Sequence, residues 1–406
     1  MTERKKIFIW TLFDFANTSF SLTVVTFIYA VYFKKVVSEG APIGDFYWSL
    51  STSIAMLITA VISPVLGAIA DYSAGKKRFL LFFTIMSITA TCLLYTVGKG
   101  DILSGIIIFI IANIGFEAGL VFYDAFLPEI TKPKNYGRVS GYGFAMGYFG
   151  SMATLIGIYP LLENDMIKES FIFSGVFFLV FSLPLFFFLK ETRTKKTEKF
   201  SFFNIGFSRV IFTFKHLPKY KNLALFLLAY FFYIEGVNTV IFFSGNYAST
   251  TLGFTEKELL VFFFTVQTTA IVGSIILGIV SDRIGHVKTI IISLLLWLIT
   301  VGLAAVIADK DWFYVVGLMA GAAMGSSQSS SRSLMSKLTP PDKKTEFFGF
   351  YSFFGKSSAI LGPILFGAIS YITGNQRLAI LSLTVFFVIG LLLLMKVKEA
   401  DPETLL

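Results

Sequence analysis

Four ionisable residues interrupt stretches of the chain that are otherwise apolar: Asp14, Glu117, Glu235 and Lys356. A charge in such a setting is costly, so it marks a place where an ion, a proton or a polar solute is handled. Amides and hydroxyls stand beside these residues at helical spacing. Asp14, Asn17 and Ser21 share one face; so do Asn113, Glu117 and Asp124; so do Glu235, Asn238 and Asn246, and Gln328 adds another amide. The chemistry is that of binding. An amine would meet Glu117, Glu235 or Asp14, a carboxylate would meet Lys356, and one acid would carry a proton. The plainer alternatives are helix-to-helix hydrogen bonds for Asp14 and Glu235, and a buried ion pair of Glu117 with Lys356. At 1.5 Å per helical residue, Asp14 lies about 12 Å past Lys6 and Glu235 about 21 Å past Lys221, both at membrane depth.

Catalytic chemistry finds no support. The one cysteine, Cys92, and the two histidines, His216 and His286, cannot build a zinc site or a disulfide. No nucleophile stands near a histidine, and no glycine-rich phosphate loop is present. The chain is therefore expected not to be an enzyme and to use no cofactor and no metal. No cleavable signal peptide is expected either, because the first apolar stretch is too long and carries Asp14 and Asn17.

The elements that must position these residues are membrane helices. Of 406 residues, 55% are hydrophobic and only 15% charged, against roughly 25% charged in soluble proteins. Apolar stretches fall near 8–33, 46–70, 79–97, 102–126, 138–161, 171–189, 223–248, 257–281, 287–307, 312–335, 346–371 and 378–397. A spanning helix needs about 20 such residues. Continuous rather than alternating apolarity excludes a β-barrel. The expected fold is an all-α membrane protein with twelve transmembrane helices in two pseudo-symmetric six-helix bundles, residues 1–189 and 223–406.

The net charge of +9 suggests nucleic acid until its placement is read. Arg4, Lys5, Lys6, Lys76, Lys77, Arg78, Lys132, Lys134 and Arg138 fall on one side, with Arg283, Lys288, Lys337, Lys343 and Lys344. The other side holds only Lys34, Lys35, Lys99, Lys168, Lys257, Lys310 and Arg377. By the positive-inside rule both termini are cytoplasmic. The basic excess then serves topology and anionic lipid, and no nucleic-acid partner is expected. The connection 190–222 interleaves Phe200, Phe202, Phe203, Phe207, Phe212 and Phe214 with basic residues. It reads as an amphipathic helix on the cytoplasmic leaflet or as a tether between the halves.

The two halves repeat each other. Gly67-x-x-x-Asp71, then Gly75-Lys76-Lys77-Arg78, recurs as Gly278-x-x-x-Asp282-Arg283-x-Gly285-x-x-Lys288. Glycine lets helix ends approach, and the aspartate is expected to accept hydrogen bonds at the next helix N-terminus. Asp14-x-x-Asn17-Thr18 recurs as Glu235-x-x-Asn238-Thr239. A third alignment sets Thr131, Gly141 and Gly147 on Thr339, Gly349 and Gly355. It pairs Asp124 with Arg332 and Arg138 with Glu346, a double swap of sign. Contacts Asp124–Arg138 and Arg332–Glu346 are expected from it, with Asp71 and Asp282 near, as a cytoplasmic gate or latch. Gly143, Gly147 and Ser151 point to close helix packing. The Ser326–Ser333 run fits small-residue packing and a water-lined wall equally.

Gly278-x-x-x-Asp282-Arg283-x-Gly285-x-x-Lys288 resembles the cytoplasmic signature of the major facilitator superfamily. Trp10-Thr-Leu-Phe-Asp14-Phe-Ala-Asn17-Thr-Ser19, Tyr123-Asp-Ala-Phe-Leu127-Pro128-Glu129 and Gly137-Arg138-Val-Ser140-Gly141 resemble its vacuole-effluxer branch, as do Gln328-Ser-Ser-Ser-Arg332-Ser333 and Phe347-Phe348-Gly349. The resemblance implies the fold and a central cavity lined by the first, fourth, seventh and tenth helices. It implies a secondary transporter working by alternating access, with an amino acid as one solute class and efflux as one direction. A lipid or lysolipid flippase of the same fold is the alternative. The expected partners are a small-molecule substrate, protons and membrane lipids, and the expected location is the cytoplasmic membrane.

Overall fold

The computed structural model describes residues 1–73, 75–191, 210–211, 220–358 and 361–399. Among these the secondary structure is helical throughout. Eleven helices are long and apolar enough to cross a membrane: α1 (Glu3–Val37), α2 (Ile43–Ser73), α3 (Lys76–Thr96), α4 (Ile102–Ile130), α5 (Pro133–Glu163), α6 (Ile167–Phe188), α7 (Lys221–Leu252), α8 (Lys257–Ile284), α9 (His286–Val306), α11 (Lys344–Thr373) and α12 (Gln376–Leu394). Between α9 and α11 lies α10 (Lys310–Leu338), 29 residues long. Its serines lower its hydropathy, and its length and place in the repeat complete the expected twelve. Most of the segment 190–222, including its phenylalanines, lies outside the described residues.

Local sequence accounts for the ends and bends. Thr255 and Glu258 form a reciprocal capping box at the start of α8. The Asp309 side chain accepts from the backbone of Asp311 and Trp312 at the start of α10, and Asn375 caps α12. Proline interrupts the hydrogen-bond ladder inside α2, α5 and α6 at Pro64, Pro160 and Pro184. Large apolar side chains such as Phe82, Phe187, Phe242 and Ile364 are exposed along the outside of the helices. That is the surface lipid covers, where a soluble protein would bury them.

Two compact units form. The first holds Met1–Ile130, the described part of Met146–Val210, and Asp342–Gly349. The second holds Thr131–Ala145 and the described parts of Ile211–Pro341 and Phe350–Leu406. Each unit therefore takes the opening turns of one helix, α11 or α5, from the other half of the sequence. Inside the first unit α1 packs on α6, α3 on α4, α2 on α4, and α3 on α6. Inside the second α7 packs on α12, α9 on α10, α8 on α10, and α9 on α12. The same pairings at the same places are the internal repeat seen in three dimensions.

Candidate functional site

The aspartates of the repeated Gly-x-x-x-Asp motif do cap helix N-termini, but not those that follow them. In the first unit Asp71 accepts the backbone N–H of Glu346 at 2.8 Å and the Thr345 hydroxyl at 2.9 Å. Both donors lie in the first turn of α11. In the second unit Asp282 accepts the N–H of Gly137 at 2.7 Å, that of Arg138 at 3.2 Å, and the Arg138 guanidinium Nε at 2.8 Å. These lie at the start of the α-helical part of α5, which begins at Tyr136. The orphan N–H groups and positive dipole end of each helix meet a buried carboxylate. The sign swap led to Asp124 as the partner of Arg138; the guanidinium Nε goes to Asp282, whose side chain is 2% exposed.

The glycines of the motif explain why the caps reach. A Cβ on Gly278 would stand 2.7 Å from the Gly137 carbonyl and 3.2 Å from the Gly141 Cα. One on Gly67 would run into the backbone of Thr345 and Glu346, and one on Gly349 would press on Ser63 and Pro64. Within each unit, the short segment drawn from the other half of the sequence thus makes backbone-to-backbone contacts that only glycine permits. Arg283 is exposed. Arg332 is buried, and its Nε and Nη2 donate to the hydroxyl and carbonyl of Ser140, both at 2.9 Å, with Phe144 under the guanidinium.

The N-termini of α3 and α9, where the sequence placed the aspartates, are capped by residues it did not single out. Glu191, just past α6, accepts from the N–H groups of Lys76 and Lys77 at 3.1 and 3.3 Å. Glu399, just past α12, accepts from the N–H of Val287 at 3.2 Å and pairs with Lys337 at 3.0 Å. In the first unit the Lys76 ammonium pairs with Glu129. Glu129 and Lys337 occupy equivalent positions of the two halves, so the repeat keeps the cluster and moves the charges within it. Burial pushes the Glu191 carboxyl up, and the Glu129 charge adds to this, against the Lys76 and Lys77 N–H bonds and the Lys76 charge. Burial also pushes Glu399 up, but His286, Lys337 and the Val287 N–H outweigh it, and the net shift is down. Gly285, at φ 99°, closes the turn before α9 and leaves no room for a Cβ beside the Glu399 carboxylate. Its counterpart Gly75 has φ −110° and is not required for that reason.

The membrane-depth residues divide. Asp14 is buried and accepts the Tyr123 hydroxyl at 2.7 Å, beside a Trp10–Tyr123 stack with centroids 4.7 Å apart. Its observed work includes tying α1 to α4. Asn17 and Asn113 are buried, and the Asn17 Nδ2 and both amide atoms of Asn113 have no hydrogen-bond partner among the described residues. Glu117, one turn from Asn113, is buried as well. Glu235 is fully buried and accepts from the Gly362 N–H of α11. Asn238, Gln328 and Lys356 are half-buried. Asn246 accepts from the Gln376 amide at 2.8 Å in the exposed outer part of α7.

The serine run of α10 is a packing surface. Ser326 meets Ser293, Ser331 meets the Tyr233 hydroxyl at 2.6 Å, and Ser333 donates to the Tyr136 carbonyl at 3.0 Å. Ser326, Ser327, Ser329, Ser330, Ser331 and Ser333 are all fully buried. Gly147 serves as expected: its carbonyl accepts the Thr18 hydroxyl at 2.9 Å, and α5 lies against α1 there.

Twelve helices in repeated six-helix sets, with glycine-bedded aspartate caps, define a polytopic protein of the major facilitator fold. Solved structures share that fold. The human organic anion transporter MFSD10 superposes with TM-score 0.78 over 97% of this chain and 100% of its own, at 15% identity. The proton:xylose symporter XylE superposes with TM-score 0.76 over 98% and 96%, also at 15% identity. Among sequences, the MFS-type transporter YxiO of Bacillus subtilis is 32% identical, covering 96% of this chain and 94% of its own. Autophagy-related protein 22 of Kluyveromyces lactis is 24% identical over 85% and 77%. The model of the family described as vacuole effluxer Atg22 like matches residues 47–401, and the chain belongs to that family. It is a multi-pass membrane transporter of the major facilitator superfamily.

Proposed function

We propose that the protein moves a small zwitterionic or amphiphilic solute, of the amino-acid or short-peptide class, out of the cytoplasm by alternating access coupled to protons. The observation that carries this reading is the polar face of α4. Asn113 sits fully buried with neither amide atom partnered among the described residues, one turn from the buried acid Glu117. A fold stabilised for packing alone would not keep an unpaired amide there, because such a group costs about 1–3 kcal/mol. An amide and an acid at helical spacing suit an ammonium group, and Lys356 suits a carboxylate. The family's description as effluxers supports the direction. The lysine and arginine bias supports cytoplasmic termini in a plasma membrane.

The caps at α5 and α11 are the latch in this reading. Asp71, Asp282, Arg138 and Arg332, bedded on Gly67 and Gly278, hold contacts that break and reform in each cycle. Asp124, Arg283 and Glu346 belong to the same cytoplasmic layer. Lysolipid export is the second reading. It is favoured by an open aromatic groove on α7 and α11 lined by Phe242, Phe243, Phe366 and Tyr371, with polar Asn246 and Gln376. The two are separated by loading proteoliposomes with labelled amino acids, dipeptides or lysophosphatidylcholine and following release under an imposed pH gradient. Release of an amino acid or dipeptide, lost in Glu117→Gln, supports the first reading; movement of lysolipid alone overturns it.

A further inference from the structure

Away from their ends, the six spans of the second half hold one acid and one base, Glu235 and Lys356. Glu235 is fully buried. Its Oε1 accepts from the backbone N–H of Gly362 and, at 3.4 Å, from the Thr239 hydroxyl. Its Oε2 has no partner among the described residues. Gly362 and Pro363 lie in the first turn of the helical segment Leu361–Thr373, where backbone N–H groups have no intrahelical acceptor and proline is tolerated. The N–H that α11 donates to α7 is thus one that the helical segment itself leaves free. A Cβ on Gly362 would collide with both Thr239 and Glu235, so the approach requires glycine.

We propose that Glu235 is a proton-binding site, and that its protonation sets how firmly α7 holds α11 at Gly362–Pro363. The charged carboxylate makes a charge-assisted bond to the Gly362 N–H, about twice as strong as a neutral one. The same charge leaves Oε2 bare in surroundings that do not solvate it. Taking up a proton forms an O–H bond at Oε2, removes the charge and loosens the grip on Gly362; giving it up restores the grip. No side chain nearby competes closely for the role. On α7 the other titratable groups are Lys221 at its start and Tyr230, Tyr233 and Tyr247. On α11 they are Lys344, Glu346, Tyr351, Lys356 and Tyr371, with Lys356 six residues before Gly362. Between their ends α8, α9 and α12 bring none, and α10 brings none between Tyr314 and Arg332. This deepens the transport reading by naming the coupling residue and the element it moves, and it rests on that reading only for the use to which the proton is put.

The test uses the full chain in lipid nanodiscs and no solute. Infrared difference spectra between acid and alkaline buffer should show a protonated-carboxyl band that Glu235→Gln removes. Amide hydrogen exchange in the Leu361–Thr373 segment, corrected for the intrinsic pH dependence, should be slower at alkaline pH in the wild type and independent of pH in Glu235→Gln. Glu235→Asp keeps an acid but shortens its reach, so it should keep a carboxyl band while losing the pH effect on exchange. The proposal is overturned if the band survives in Glu235→Gln, if either variant keeps the wild-type pH effect on exchange, or if sodium rather than pH moves that segment. Any of these leaves the solute reading standing, since no solute is present; conversely, failure of every solute to move would leave these spectra unaffected.

Discussion

Asp282 accepts the guanidinium Nε of Arg138 at 2.8 Å while also accepting the backbone N–H groups of Gly137 and Arg138. One carboxylate thus caps the α-helical start of α5, which begins at Tyr136, and pairs with the Arg138 guanidinium. Asp71 caps the first turn of α11 through the Thr345 hydroxyl and the Glu346 N–H. Asp282→Asn keeps one acceptor oxygen and loses the charge. It should lower the stability of the detergent-solubilised protein by about 1–3 kcal/mol, since charge-assisted bonds to a buried group are lost. Arg138→Ala should cost less, because its side chain is 41% exposed. Thermal unfolding of the two variants checks the order, and an equal loss in both would mean the backbone caps contribute nothing.

Gly278→Ala should destabilise more than Gly302→Ala. The first would force a methyl against the Gly137 carbonyl and Gly141, whereas nothing lies within 4 Å of a Cβ on Gly302. Overpacking of this kind costs about 1–3 kcal/mol, and at Gly302 alanine should be neutral or stabilising by up to about 1 kcal/mol. Comparable melting temperatures for the two variants would contradict the packing described.

Glu191 and Glu399 should give opposite pH signatures although they occupy equivalent positions. The Glu399 carboxyl is shifted down on folding, so its contribution to stability is present above its unfolded pKa and is lost as pH falls through the folded one. The Glu191 carboxyl is shifted up. Its contribution is present below the unfolded pKa and is lost as pH rises through the folded one. Melting profiles of Glu399→Gln should therefore flatten on the acid side, and those of Glu191→Gln at higher pH. The same change in both profiles would show that the two clusters are not electrostatically distinct.

Much of this architecture is legible in the sequence, and the part that is not has a physical reason. Helix number follows from apolar length, and the repeat follows from Gly-x-x-x-Asp. The partner of each aspartate does not follow, because a cap depends on which helix start comes near in space. Sequence adjacency pointed to α3 and α9, and the close approaches at Gly67 and Gly278 deliver α11 and α5. Glu191 and Glu399 carry a readable signal of their own: Lys190-Glu191 recurs as Lys398-Glu399 at the offset relating Gly141 to Gly349. The serine run was ambiguous because a serine that packs and one that lines water look alike until its neighbours, here Ser293 and Tyr233, are known.

Asn113→Leu separates function from stability. Both amide atoms of Asn113 are buried without a partner among the described residues, so replacing the group by an apolar one of similar size should leave stability unchanged or raise it by about 1 kcal/mol. If the amide serves a solute, the same variant should lose transport. Unfolding and release assays on one preparation check both halves. Lower stability with unchanged transport would show that Asn113 is structural.

The most direct test of a solute site on the polar helix faces is ligand-induced stabilisation of the purified protein against amino acids, short peptides, sugars and lysophospholipids. A ligand at about a hundred times its dissociation constant stabilises the native state by about 2.7 kcal/mol. An amino acid or peptide is predicted to raise the melting temperature of the wild type, and to fail to do so in Glu117→Gln and Lys356→Ala. A shift produced only by lysophospholipids, or one that survives both substitutions, would contradict the account.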